Sequence, residues 1–287
     1  MKPATQQKLD DLRHVLSELE SVVVAYSAGV DSTLVLRVAH DVLGENVFAA
    51  TGLSDTYPEE EMAEARALAQ ELGVEHVMMR TEELTDPRYA MNSHQRCFFC
   101  KNELYGKLRE LADERGVMHI VDGTNADDVG DHRPGLRAAR EIGVRSPLQE
   151  VGMTKDEIRE ISNELGLRTW DKPAFACLSS RFPYGTPITV EKLKQVATAE
   201  RAIRELGFRG FRVRHHDTVA RLEVDPDDFP RVVELHSEIV AKLRAAGYRF
   251  VTLDLQGYRS GSLNEGLSLT LTNSTKNSAE RAVVSTD

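Results

Sequence analysis

Apolar residues recur at helical spacing from the start of the chain. Leu9, Leu12, Val15, Leu16 and Leu19 share one face and predict a helix over 5–19. The pattern then changes to an unbroken β-branched run at 21–26, the kind that fills a strand buried on both faces of a parallel sheet. Small residues at 27–32 make a turn, and helical periodicity returns over 33–43. The alternation continues as strand 46–51, helix 59–72, strand 74–79, helix 100–115, strand 117–121 and helix 154–165. The last of these opens on Thr154-Lys155-Asp156-Glu157, which has the form of a capping box. Strands alternating with helices imply βαβ units and a parallel sheet.

Periodicity vanishes over 166–187, which holds Pro173, Pro183, Gly185 and Pro187 and predicts a long loop. Loops of this length inside a domain are usually functional or disordered. A second unit follows, with helix 189–205, strands 210–216 and 218–224, helix 229–246 and strand 248–255. The expectation is an α/β domain with a Rossmann-like parallel sheet over 1–187 and a smaller α+β domain over 188–257. Residues 258–287, rich in Ser, Thr and Asn, are expected to form a flexible tail.

At 287 residues the chain has room for two domains of about 150 residues. Its 36 basic against 46 acidic residues give a net charge of −10, whereas nucleic-acid-binding proteins usually carry a basic excess. Nucleic acid is therefore not the expected partner. No apolar segment near the N-terminus resembles a signal peptide, and the run at 22–26 is too short to span a bilayer. The expectation is a soluble cytoplasmic protein with no membrane partner. Three cysteines exclude a disulfide framework.

Candidate chemistry begins at Ser27-Ala28-Gly29-Val30-Asp31-Ser32, which joins a strand to a helix. Such a turn is an anion cradle, because free N–H groups and the positive end of the helix dipole face the ligand. Neither Gly-x-x-x-x-Gly-Lys-[Ser/Thr] nor Gly-x-Gly-x-x-Gly occurs in the chain. The loop has Asp31 and no lysine, which points to a metal-bridged pyrophosphate; an ordinary strand–turn–helix connection accounts for these six residues equally well. A second segment, Asp122-Gly123-Thr124-Asn125-Ala126-Asp127-Asp128, follows an apolar strand and would face the first at the carboxyl ends of the strands. There Asp127 or Asp128 would join Asp31 on Mg2+. An Asp/Asn/Gly turn is the plainer account of this segment alone. Cys97-x-x-Cys100 together with Cys177 suits a zinc site with His94 as fourth ligand; a redox dithiol at Cys97 and Cys100 is a further alternative, but it leaves Cys177 in its Pro-rich loop unexplained. Arg212 and Arg214 share a strand face and suit a phosphate, or else form a solvated, salt-bridged surface.

The 27–32 loop resembles the SGGxDS loop of PP-loop ATP pyrophosphatases, which cleave ATP to AMP and pyrophosphate. Ala28 stands at the first glycine and costs about 1–2 kcal/mol if that position needs a positive φ. Arg96-Cys97-Phe98-Phe99-Cys100-Lys101, the Arg133-Pro134-Gly135-Leu136-Arg137-Ala138-Ala139 run, the stretch from Thr169 to Arg181 and Pro183-Tyr184-Gly185-Thr186-Pro187 extend the likeness. Over about 5–257 the chain resembles the LarE family of ATP-dependent sulfur transferases. The resemblance implies adenylylation and thiolation of pyridinium-3,5-biscarboxylic acid mononucleotide, on the route to the nickel-pincer nucleotide cofactor of lactate racemase. It implies ATP, with Ser27, Gly29 and Ser32 cradling pyrophosphate beside Gly123 and Thr124, and Asp31 and Asp127 on Mg2+. Asp31 and Cys177 would be catalytic.

Some LarE enzymes give up the sulfur of the cysteine corresponding to Cys177, leaving dehydroalanine. Others add a Cys-x-x-Cys pair and hold a [4Fe–4S] cluster, here through Cys97, Cys100 and Cys177, with one iron open to sulfide or another sulfur donor. Arg181, Arg212 and Arg214, with Glu223, would bind the substrate anions of a homo-oligomeric enzyme. The rival reading is a PP-loop tRNA thiolase with a three-cysteine cluster, which the acidic net charge disfavours.

Overall fold

The valine run at the first strand decides the architecture of the N-terminal unit. In the computed structural model, which describes residues 1–128, 134–173, 176–259 and 262–264, strand β1 (Val22–Ala25) is central. It pairs in parallel with β2 (Val47–Leu53) on one side and β4 (His119–Val121) on the other. β3 (Glu75–Arg80) extends the sheet beyond β2, giving the order β3-β2-β1-β4. Side chains alternate across the sheet. Val22 and Val24 join a core with α1 (Pro3–Ser17), α2 (Val30–Leu43), α3 (Glu59–Glu71) and α8 (Lys155–Glu164). Val23, Phe48 and Ile120 face the other way, against α5 (Arg96–Glu114) and α6 (Pro134–Ile142). The sheet is thus covered on both faces, as a parallel sheet requires.

Several bounds differ from the sequence-based expectation. Helix α2 begins at Val30 rather than 33, so Asp31 and Ser32 lie in its first turn. Helix α5 begins at Arg96 rather than 100, which brings both Cys97 and Cys100 within its first five residues. Three short helices were not expected: α4 (Pro87–Ala90), α6 and α7 (Pro147–Glu150). In α6 the buried packing residues are the small Ala138 and Ala139. Segment 166–187 is irregular among its described residues, apart from a 3-10 turn at Leu178–Arg181.

The second unit has its own core. β5 (Arg212–His216) pairs antiparallel with β6 (Val219–Glu223), and β6 pairs in parallel with β7 (Phe250–Leu253). Helix α9 (Val190–Glu205) contributes Ala199 and Ile203 to this core. The expected helix 229–246 is two helices, α10 (Phe229–Glu234) and α11 (His236–Ala245), parted at Leu235 with ψ 11°. By contact the chain divides into Met1–Ser179 with Tyr184–Lys194, and Ser180–Pro183 with Gln195 onward. Two residues at the start of the expected tail are held by hydrogen bonds. Tyr258 N–H donates to Val224 O at 2.8 Å, and Ser262 Oγ accepts from Arg214 at 2.8 Å. Residues 265–287 lie outside the described residues. Among the described residues no helix is long and apolar enough to cross a membrane.

Candidate active site

The loop after β1 is shaped by a backbone conformation that its sequence does not favour. Ala28 has φ 55°, so the position does need the left-handed region, and alanine there costs about 1–2 kcal/mol. Its methyl group is fully buried in the core, which offsets part of that cost. Gly29 is extended (φ −80°, ψ 165°) and caps α2. The Ser27 and Ser32 hydroxyls lie 3.1 Å apart, and Ser32 Oγ donates to Gly29 O at 3.3 Å. The first amides of α2 have no partner within the helix, as at any helix start, and open onto this loop.

The second loop packs directly on the first. A Cβ at Gly123 would stand 2.8 Å from Ser32 N and 3.1 Å from the Asp31 carbonyl carbon. Gly123 is therefore a clearance between two backbones, not a turn device. Asp122 fixes this loop, accepting from Thr124 N (3.0 Å), Thr124 Oγ1 (3.0 Å), Ser146 Oγ (2.8 Å) and Tyr105 Oη (2.9 Å). Gly123→Ala forces the loops apart. The expected cost is about 1–3 kcal/mol in denaturant unfolding, with a raised KM for ATP.

Asp31 carries its own countercharge. Lys155 Nζ donates to Asp31 Oδ2 at 2.6 Å, and Asn125 Nδ2 donates to Asp31 Oδ1 at 3.4 Å. The Lys155 backbone N–H donates to Asp127 Oδ2 at 2.7 Å. Asp31 and Asp127 are thus linked through one residue, while Asp128 turns back to accept from Asn125 N. The lysine missing from the phosphate loop is supplied 124 residues away, at the start of α8. The sequence reading missed it, although it lies inside the capping box that was recognised. That box is formed: Glu157 Oε2 accepts from Thr154 N at 2.8 Å and from Thr154 Oγ1 at 3.0 Å.

The cysteines come from two distant segments. Cys97 and Cys100 open α5. Cys177 is held by its neighbours: Leu178 N–H donates to Thr56 O at 2.8 Å, and Ser179 Oγ shares a hydrogen bond with Tyr89 Oη at 2.6 Å. Gly185 N–H to Asn92 O and Ile188 N–H to Ala90 O fasten the loop that follows. This brings Cys177 within electrostatic reach of both others. Desolvation by surrounding protein raises the Cys97 thiol even though the residue is exposed; Cys177 raises it further, while Arg96 and Lys101 pull it back. Burial pushes Cys100 well above the usual thiol range, helped by Glu83 and Cys177. None of the three forms a disulfide. Among the described residues no three His, Cys, Asp or Glu side chains stand at metal-holding spacing. His94 is exposed and packs edge-on against Tyr184, with ring centroids 4.4 Å apart.

In the second unit the arginines are buried rather than solvated. Arg212 is 8%, Arg214 2% and Arg181 3% exposed. Arg181 Nε and Nη2 grip Glu200 at 2.8 and 2.9 Å, a bidentate pair that the sequence reading missed. Arg214 donates to Glu223 Oε1 (2.9 Å), Ser180 O (2.7 Å) and Ser262 Oγ. Arg212 lies over the Tyr258 ring at 5.1 Å and has no carboxylate partner among the described residues. Burial, then the Arg181 charge, pulls its basicity down. Three buried guanidinium groups face two buried carboxylates, Glu200 and Glu223.

A parallel sheet with this strand–loop–helix cradle, Asp31 in the first helical turn and a second acidic loop against it defines a PP-loop nucleotide-binding protein. A family model described as NAD synthase matches residues 5–111. The chain is 48% identical over 264 residues to an uncharacterised Synechocystis sp. protein, covering 91% of this chain and 98% of that one. It is 40% identical over 253 residues to the pyridinium-3,5-bisthiocarboxylic acid mononucleotide synthase of Lactiplantibacillus plantarum, covering 88% of this chain and 92% of the relative. An uncharacterised Methanocaldococcus jannaschii protein is 29% identical, covering 88% of this chain and 98% of that one. The chain belongs to the LarE family within the PP-loop class.

Proposed function

We propose that this protein is an ATP-dependent sulfur transferase that converts pyridinium-3,5-biscarboxylic acid mononucleotide to its bisthiocarboxylic form, in nickel-pincer cofactor synthesis. The observation that carries this reading is the buried charge imbalance around Arg212. Buried charges need partners, and a mononucleotide phosphate is the missing anion. Arg212 and Arg214 share a face of β5, and Arg181 and Glu223 hold the surrounding charges in place.

The phosphate loop serves the activation step. Ser27, Gly29 and Ser32, with Gly123 and Thr124, line the pyrophosphate cradle. One hard carboxylate at Asp31, with Asp127 nearby through Lys155, fits a Mg2+ ion, which takes one or two carboxylates together with phosphate oxygens. Bound there, the ion would neutralise charge on the phosphates, and Lys155 would turn from Asp31 to the pyrophosphate. A substrate carboxylate oxygen attacks the α-phosphorus and pyrophosphate leaves. The acyl-adenylate so formed is neutral at the carbonyl carbon and has AMP as a leaving group, so a sulfur nucleophile displaces AMP.

The donor set at the cysteines is three soft thiol sulfurs, which suits an iron–sulfur cluster better than a closed zinc site. The raised Cys97 and Cys100 thiols mean that binding must release protons. Cys97, Cys100 and Cys177 would hold the cluster, which supplies an open iron for sulfide or another small sulfur donor. The reading includes a homo-oligomer in the cytoplasm, with neither membrane nor nucleic acid as partner. Incubation with ATP, Mg2+, sulfide and the dicarboxylate should yield AMP, pyrophosphate and the thiolated nucleotide by mass spectrometry. ADP and orthophosphate as stoichiometric products would overturn it.

The arginines separate experimentally. Arg212→Ala should weaken substrate binding by about 1.5–3 kcal/mol, the range for hydrogen bonds to charged groups, and leave ATP affinity unchanged. An analogue lacking the phosphate should bind both proteins equally in calorimetric titration. Arg214→Ala should instead lower stability by about 3 kcal/mol, because it strips a buried carboxylate of its main partner. The figure sits at the low end of the range for broken buried pairs because Arg221 Nη2 still reaches Glu223 Oε1 at 3.1 Å.

A further inference from the structure

Glu83 is a buried acid that the adenylylation chemistry does not use. It opens a 3-10 turn (Glu83–Thr85) after β3 and is 3% exposed. Its Oε1 accepts from Ser54 Oγ and from Thr56 Oγ1, the latter at 3.0 Å. Its Oε2 is buried and has no hydrogen-bond partner. Among the described residues no lysine or arginine pairs with it. A buried charged oxygen left in this state is costly, and buried charges are paired or coordinate metals.

The surroundings of Glu83 identify what it faces. Thr56, whose hydroxyl holds Oε1, also accepts the backbone N–H of Leu178, the residue after Cys177. The turn that carries Glu83 packs against α5, the helix that opens with Cys97 and Cys100, and the neighbouring Glu82 N–H donates to Glu103 Oε1 on that helix. Helix α4 packs on the same turn, and its Tyr89 Oη shares a hydrogen bond with Ser179 Oγ, two residues after Cys177. The loop after β2, the turn after β3, the start of α5 and the Cys177 segment therefore surround one carboxylate. A buried carboxylate oxygen without a partner, close to three cysteines, is a donor that a multivalent cationic centre would satisfy. His94, the fourth ligand suggested by the sequence, is exposed and packed on Tyr184.

We infer that Glu83 is the fourth protein donor of the cysteine site, its Oε2 contacting the iron that Cys97, Cys100 and Cys177 leave open. The inference rests on the cluster reading above. The contact is a ligand that an incoming hydrosulfide displaces by simple exchange, with no change in oxidation state. The carboxylate remains anchored through Ser54 and Thr56 when it is displaced.

The test uses the full chain, reconstituted anaerobically with iron and sulfide, as wild type, Glu83→Gln and Glu83→Asp. Glutamine keeps the volume and the acceptor for Ser54 and Thr56 but is a poor iron ligand. Iron per chain, the electron paramagnetic resonance spectrum of the reduced protein and an optical titration with hydrosulfide are read. Glu83→Gln should hold as much iron as wild type, show a changed resonance spectrum and half-saturate at roughly tenfold lower hydrosulfide, a shift of about 1.4 kcal/mol. Loss of iron in Glu83→Gln that Glu83→Asp restores also supports the assignment. Unchanged spectra and titration, or iron loss in both variants, overturn it and leave the cluster reading standing. A wild type that retains no iron overturns both.

Discussion

Asp31→Asn should lower AMP and pyrophosphate formation about 1,000-fold while the fold remains intact. The side chains of Asp31 and Lys155 are 23% and 29% exposed, so their ion pair adds at most about 1 kcal/mol to stability. Asparagine preserves the shape, and its one amide oxygen still accepts from Lys155. What it loses is the charge needed to hold a divalent ion against the phosphates, which is worth several kcal/mol of barrier. About 4 kcal/mol corresponds to the stated loss of rate. The expected pattern is therefore a near-unchanged unfolding midpoint with a collapsed rate of pyrophosphate release. A variant within tenfold of wild type would remove Asp31 from the metal and leave it as a partner of Lys155.

Replacing any one of Cys97, Cys100 and Cys177 with alanine should abolish iron retention and limit the enzyme to less than one turnover with external sulfide. Wild type should turn over repeatedly and retain an intact Cys177 by mass spectrometry. The bonds that place Cys177 are made by Leu178 and Ser179, and those that place the pair are the backbone bonds of α5. Alanine leaves all of them in place, so loss of function would not reflect misfolding. If Cys177 is the sulfur source, it ends as dehydroalanine, and Cys97→Ala is as active as wild type. That pair of results would replace the cluster with a sacrificial mechanism.

The parallel sheet was legible because Val22, Val23 and Val24 are apolar on both faces, and because the helices around them have strong periods. The cradle was legible because a phosphate loop is local, with Ser27 to Ser32 contiguous in the chain. Other features depend on contacts that no local pattern encodes. Lys155 reads as a capping-box filler until α8 is placed beside Asp31. Gly123 reads as a turn residue until its missing Cβ is measured against Ser32 N. Glu83 and Glu200 read as ordinary surface acids; only their burial among hydroxyls and a guanidinium distinguishes them. The start of α5 was placed late because Arg96 to Phe99 carry little helical period, and their helix is set by the turn that precedes it.

Helix α5 ties the two chemistries together as a phase relation. Its first residues carry Cys97 and Cys100, and Tyr105 further along it donates to Asp122 at the base of the second phosphate loop. An α-helix advances about 1.5 Å and turns about 100° per residue. One residue inserted between Lys101 and Leu104 would therefore swing the cysteine pair by about 100° about the axis while Tyr105 stayed docked. A seven-residue insertion would return the pair to within about 20° of its original bearing, but about 10 Å farther out. The sulfur-bearing turn and the nucleotide loop are thus geared to one another through a rod of fixed pitch. Length variation in this enzyme family should accordingly be absent between Cys100 and Tyr105 and permitted beyond the far end of the helix.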